Sequence, residues 1–401
     1  MRQLDILFIT AALPYPPTDG AKIRLFSLLR YLAARHNVSL ISFMRDTEDR
    51  SAVEELRRYC GSVSVVERDP GYSPLKLAQG LFSTTPFPVM QYRNARMAGL
   101  VAETVTKGSF DIIQAESLHV AQYCLGWNNV TILDLLGIES SVMKRYADKE
   151  RHSLKRVYAE ITSKKLAEYE RDVCGRFTHC LVCSEEDRLL LRKVAPIESV
   201  SVIPNGVDLE TYSPNGAAAL PNNRIVFVGR MDYHANVSGV RWFCEEILPL
   251  IRARRPNVLF QIVGGEPTKE VRSLAVPGLV EVTGFVEDVR PYLREATVVV
   301  VPLQVGGGTR LKIMEALAMG KPVVSTTVGA EGIAVVPERH ILMADDPGEM
   351  VRQIFRALDS PPLRRQLGAE GRRLVEDRYS WDTIGQHLEQ IYESCLRQSH
   401  N

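Results

Sequence analysis

Residues 305–326, VGGGTRLKIMEALAMGKPVVST, gather the residue types that a phosphate site requires. Gly306, Gly307 and Gly308 allow a sharp turn and let the backbone approach a ligand with no Cβ in the way. Thr309 is placed to cap a helix over about 310–319, its hydroxyl accepting a free N–H of the first turn, and Gly320 followed by Pro322 supplies the stop. A glycine loop ending at a helix N-terminus offers unpaired N–H groups and the positive end of the helix dipole, both of which favour phosphate. Arg310 and Lys312 add cations in the first turn, where a purely structural helix prefers Asp or Glu. Glu315 follows three residues after Lys312 on the same face. Its carboxylate can accept two ribose hydroxyls, as the acid of dinucleotide folds does, or form a solvated Lys–Glu pair worth roughly 0.2–0.5 kcal/mol.

Such a loop has to hang from buried strands, and the flanking sequence supplies them: TVVVVPL (297–303) before it and PVVST after it. The rest of the chain alternates in the same way. Strands are expected at LDILFIT (4–10), VSLISF (38–43), VSVVE (63–67), DIIQA (111–115), TILDL (131–135) and THCLVC (178–183), with helices from about 21, around 48–60, near 91–106 and over much of 139–176. After the PNG turn at 204–206 a second series begins: RIVFVGR (224–230), a helix from about Asn236, VLFQIVGG (258–265), LVEVTGF (279–285) and a helix at about 288–295. Alternating β and α elements imply parallel sheets covered on both faces, here as two doubly wound halves. The last stretch, RYSWDTIGQHLEQIYESCLRQ, reads as a capped amphipathic helix from near Ser380 that can cross back onto the first half. The expected domains are therefore 1–204 together with a C-terminal helix of about 380–398, and 205–379.

With 401 residues, a net charge of +1 and a pI near 7.6, the chain has room for two cores and no global reason to bind nucleic acid. The longest apolar run, 296–303, is far short of the ~20 residues of a membrane helix. Asp5 interrupts the apolar start, which reads as a first strand rather than a signal peptide, so a cytoplasmic chain is expected. Cys180 and Cys183 beside His179 form a C-x-x-C, but within a strand residues three apart point to opposite faces, which makes them core residues. Residues 70–90 carry four prolines with Leu75, Leu77, Leu81 and Phe82 near Lys76, Arg93 and Arg96; this is a packed loop or an amphipathic contact with the inner face of a membrane.

The wording IPNGVD, VGRMD, IVGG, VTGFVEDVRPYL, VVVVPLQVGGGTRLKIMEALAMGKPVV and the terminal YSW helix, in this order and spacing, resembles the retaining glycosyltransferases of family 4. Within that family, HANVSGVRWF and GGGTRLK are most similar to the sugar transferases associated with exosortase and exopolysaccharide gene clusters. The resemblance implies an α/β GT-B fold, two doubly wound Rossmann-like lobes facing a cleft, with a nucleotide-diphosphate sugar of UDP or GDP type on the second lobe as co-substrate and no further cofactor. It implies diphosphate contacts from Gly307, Gly308, Thr309 and Arg310 with Arg230 and Lys312 as cations, a ribose contact from Glu315, and a base pocket around Gly264, Gly265, Phe285 and Val286. In the first lobe, Asp19 and Gly20 match the family's glycine-rich loop, and Glu116 with His119 stands where many members carry a histidine near the sugar.

This sequence departs from the pattern at Gly307, where the family commonly has the first of two glutamates, and in the absence of the usual lysine a few residues after Arg230. It has no Asp-x-Asp motif, so cations and helix N–H groups rather than a metal are expected to stabilise the leaving diphosphate. The expected activity is retaining, metal-independent transfer of a sugar to a glycan or lipid-linked acceptor in exopolysaccharide or cell-surface glycan synthesis. Two alternatives stand beside it: a non-catalytic nucleotide-sugar-binding partner of a polysaccharide assembly complex, and a GT-B nucleotide-sugar epimerase.

Overall fold

The computed structural model describes residues 2–45, 50–68, 80, 83–150, 152–214, 223–305 and 310–399. The chain divides into two compact units, Met1–Pro204 with Gly385–Asn401, and Asn205–Ile384.

In the first unit the strands are β1 (Asp5–Thr10), β2 (Asn37–Met44), β3 (Ser62–Glu67), β4 (Ile112–Glu116), β5 (Val130–Leu135), β6 (His179–Val182) and β7 (Val200–Val202). Among the described residues they pair in the order β3-β2-β1-β4-β5-β6-β7, every pair parallel. Parallel strands covered on both faces need apolar side chains on both, and Ile6, Leu7, Phe8 and Ile9 of β1 are all fully buried. The second unit holds β8 (Arg224–Val228), β9 (Leu259–Val263), β10 (Val280–Gly284), β11 (Val298–Val301), β12 (Val323–Ser325) and β13 (Leu342–Met343), again all parallel, in the order β10-β9-β8-β11-β12-β13. In both sheets the order reverses between the first and fourth strands of the series. The crevice at the C-terminal ends of such a pair is where open α/β sheets bind ligands: β1 with β4 in the first unit, β8 with β11 in the second.

Several boundaries differ from the sequence reading. The helix after the glycine loop runs Leu311–Ala318, with Arg310 rather than Thr309 as its N-cap residue and no side-chain cap. The helix expected near 91–106 is Ala95–Lys107, capped by Asn94, and a separate short turn of helix spans Phe87–Met90. Residues 139–176 form two helices, Glu139–Lys149 and Ser153–Cys174. The helix at His234–Trp242 passes through a π-helical turn, Phe243–Ile247, into Leu248–Arg254. Pro249 explains the wider turn, because it has no N–H to return to the preceding turn. The final helix, Trp381–Ser399, divides at Gly385, so its first residues group with the second unit and the remainder with the first. Of the expected membrane contact, Leu75, Lys76, Leu77, Leu81 and Phe82 lie outside the described residues.

Candidate functional site

At the C-terminal end of β8 the chain turns through Gly229 and Arg230 into the helix His234–Trp242, and the helix Leu311–Ala318 follows β11 beside it. Lys312, in the first turn of that second helix, donates from Nζ to Asn236 Oδ1 at 2.8 Å, and Asn236 Nδ2 donates to the Arg230 carbonyl at 2.7 Å. The ammonium also lies 4.1 Å from the centre of the Phe227 ring. Glycine at 229 makes room for this: a Cβ there would stand 2.8 Å from both Lys312 Nζ and Asn236 Nδ2. Burial, and then the nearby Arg310, lower the Lys312 pKa to about 7, with Glu315 opposing the shift. Arg310 is itself buried.

Glu315 is half-buried on the same helix beside the phenol of Tyr212. Burial raises its pKa, against the effect of Tyr212 and Lys312, and burial likewise raises that of Tyr212. Arg230 is exposed and forms a two-point ion pair with Asp232, Nε to Oδ1 at 3.1 Å and Nη2 to Oδ2. The cation expected to stand ready for a diphosphate is thus engaged with its own neighbour and must leave that carboxylate to meet a ligand. Gly307, Gly308 and Thr309 lie outside the described residues.

Gly264 and Gly265 follow β9. Gly264 has φ +144°, and a Cβ on it would approach Gly229 O to 2.0 Å, so the ends of β8 and β9 meet backbone to backbone. Beyond them a cavity of about 430 Å³ is lined by Glu266, Pro267, Arg272, Thr283, Gly284 and Phe285. Phe285, on the wall of this cavity, is 80% exposed. Val286 is half-buried, packed against the core of the second unit.

In the first unit Asp19 is the N-cap of the helix Gly20–Ala33, its Oδ1 accepting from Lys22 N at 3.0 Å. Gly20 is the first helical residue, so the pair stands at a helix N-terminus. Glu116 is buried and accepts from Gln114 Nε2 at 2.6 Å. Burial and the adjacent Asp134 push its pKa up to about 8, against the Gln114 hydrogen bond and the charge of Arg24. It is an interior carboxyl at the C-terminal end of β4. His119 is half-buried against Tyr92, the ring centres 4.9 Å apart and the planes tilted by 45°, and burial with the charge of Arg68 lowers its pKa to about 4.

Sequence reasoning missed Asn236 as the holder of Lys312. It also missed the fully buried pair of Arg24 and Asp134, in which Nη2 reaches Oδ2 at 2.9 Å and Nε reaches Oδ2 at 3.1 Å. The same guanidinium donates from Nη1 to the carbonyls of Ile203 and Pro204 at 2.7 and 2.9 Å, tying down the end of the first unit. An arginine at 24, set between Ile23 and Leu25 and one turn before Leu28, was the available signal.

Residues 18–211 match the family described as Glycosyltransferase Family 4, and residues 222–360 match Glycosyl transferases group 1. Between them the two glycosyltransferase models cover most of the chain, which is similar to the family 4-type glycosyltransferases. Its GT-B fold is shared with sucrose-phosphate synthase from Thermosynechococcus elongatus, TM-score 0.71 at 20% identity over 99% of this chain and 100% of that one. HepE of Anabaena, solved with UDP, gives a TM-score of 0.69 at 17% identity over 98% and 100%. Among sequence relatives, an MMP α-(1→4)-mannosyltransferase of Mycolicibacterium hassiacum is 28% identical over 223 residues, 53% of this chain and 52% of the relative. The chain spans about half the length of curated relatives of this kind that it matches.

Proposed function

We propose that the protein is a retaining glycosyltransferase that takes a sugar from a nucleoside diphosphate, without a metal, and passes it to a glycan or lipid-linked acceptor of exopolysaccharide or cell-surface glycan synthesis. The observation that carries the reading is the Lys312 ammonium, held by Asn236 over Gly229 at the β8/β11 crevice with Glu315 one turn further on. In this reading Lys312 and Arg310 neutralise the departing β-phosphate, which asks for charge stabilisation at a fixed position rather than for a general acid. Glu315 takes the ribose, and the cavity beside Phe285 takes the base. Arg230 joins the diphosphate after exchanging Asp232 for it. The anomeric carbon passes through an oxocarbenium-like state, and attack from the leaving-group face retains configuration. HepE has been solved with UDP and with UDP-glucose, which puts the UDP type first among the donors to test.

A thermal-shift screen of the protein with UDP, GDP, ADP and their sugars, with and without EDTA, decides the donor question, since a ligand that binds only the native state raises the midpoint. A rise with one diphosphate that survives EDTA is expected, lost in K312M and weakened in Glu315→Gln. No rise with any of them would falsify the donor site. Gly307, standing where the family commonly has a glutamate, favours one alternative, a non-catalytic sugar-nucleotide-binding partner. Donor binding without transfer to any acceptor offered, or slow hydrolysis, would move that alternative to the front.

A further inference from the structure

We propose that Asn236 is a positioning residue of the donor site, whose side-chain amide fastens the Lys312 ammonium to the backbone of the turn after β8 and so fixes where a diphosphate meets its cation; this rests on the donor reading above and adds the residue through which Lys312 acts. Both polar ends of the amide are spent on this one link, Oδ1 accepting from Lys312 Nζ at 2.8 Å and Nδ2 donating to the Arg230 carbonyl at 2.7 Å. The opposite amide orientation would set an N–H group against an ammonium and an oxygen against a carbonyl, so the two partners leave a single orientation. Asn236 is 6% exposed and stands on the inward face of the helix His234–Trp242, where its buried neighbours are Ala235, Gly239 and Val240. Packing alone is better served there by an apolar side chain, because asparagine is a weak helix former and a buried amide is costly unless it is hydrogen-bonded. The crowding points the same way. A Cβ on Gly229 would stand 2.8 Å from Asn236 Nδ2 and from Lys312 Nζ alike, so the two side chains converge over a residue that has none.

An amide suits this task because it is neutral. The ammonium has three N–H donors; Asn236 takes one, and the ring of Phe227, 4.1 Å away, favours the positive charge without accepting a conventional hydrogen bond. A carboxylate at 236 would neutralise the charge that a phosphate is to meet, and an apolar group would leave the ammonium enclosed with no acceptor. The charged groups that act on the ammonium are Arg310 and Glu315 of its own helix and cap, and the turn that Asn236 fastens carries Arg230, paired with Asp232.

The test uses the full-length protein with ¹³C-labelled lysine, the Lys312 ε-carbon signal being assigned from K312M. Without ligand, the titration midpoint of that signal should fall by about one pH unit in N236L, which removes the acceptor, and rise by about as much in N236D, which supplies a carboxylate. Calorimetric titration with UDP and, separately, UMP reads the donor side. N236L should bind UDP roughly tenfold more weakly while UMP, which lacks the β-phosphate, changes little. The pH above which UDP affinity declines should follow the Lys312 midpoint, lower in N236L and higher in N236D. Midpoints that stay put or move in the same direction in both variants, or equal losses for UDP and UMP in N236L, overturn the positioning role; should N236L not fold, the direction of the N236D shift decides it. No binding of UDP by the unsubstituted protein counts against the donor reading, while the ligand-free titration still decides whether Asn236 acts on Lys312.

Discussion

Lys312 sits close to its own titration at neutral pH, because burial and then Arg310 bring its pKa to about 7 while Glu315 pulls the other way. In the unfolded chain the same amine titrates near 10.4. Between those values the unfolded state holds more protons than the folded one, so this group detracts fully from stability below pH 7 and is relieved as the pH rises. A diphosphate reverses the preference, since it favours the ammonium. Binding should therefore take up a proton, and affinity for UDP should fall as the pH rises from 7 to 9, by up to about tenfold per unit. Titration calorimetry in buffers of different ionisation heat measures both the slope and the proton uptake. K312M should bind more weakly with a nearly flat profile; a slope unchanged by the substitution would assign the proton to another group.

At the scale of elements, the turns after β8 and β9 approach one another without side chains beside the crevice. In G264A a Cβ would meet Gly229 O at 2.0 Å on a backbone with φ +144°, so the turn after β9 must move. Backbone strain of this kind costs about 1–3 kcal/mol, and the melting temperature and nucleotide binding should fall together. G229A differs, because its Cβ would meet the movable tips of Lys312 and Asn236. That variant should melt close to the unsubstituted protein yet lose most of its UDP-dependent stabilisation. A melting loss equal to that of G264A would show that Gly229 serves the fold rather than Lys312. Most strands were legible in the sequence because buried parallel strands are short, continuous β-branched runs. The helices Pro347–Asp359 and Pro361–Arg378 were not read, although Asp346 and Ser360 cap them ahead of Pro at the first turn. Their apolar residues are spaced among many charges, and neither carries a motif that draws attention to the segment.

For the molecule as a whole, the chain crosses between its units twice, at Pro204–Asn205 and at Ile384–Gly385. The returning helix is built into the first unit. The Tyr392 hydroxyl, fully buried, donates to Gln114 Oε1 on β4, and Glu389 accepts from Tyr31 at 2.9 Å and lies 3.0 Å from His36 Nε2. Leu388 and Ile391 are buried with them, and each such side chain contributes roughly 1.5–3 kcal/mol. A chain ending at Ile384 should show, by calorimetry, a first-unit transition several degrees or more below normal with the second-unit transition in place. Equal loss in both would mean that the helix supports the two units alike.

The sequence by itself determined the alternation of strands and helices, the glycine loop ahead of a cationic first turn, and the doubling of that plan along the chain. These rest on short-range physics: the period of apolar residues, helix caps and the freedom of glycine. Only the tertiary structure decided which polar groups meet. Asn236 holds Lys312 from 76 residues away and Asp134 holds Arg24 from 110, while Arg68 stacks on a ring that also carries His119. Each of these meetings depends on the order of strands in a sheet, which reverses between the first and fourth of each series. No local pattern encodes that reversal, because it is fixed by how the helices between strands pack on one face of the sheet or the other.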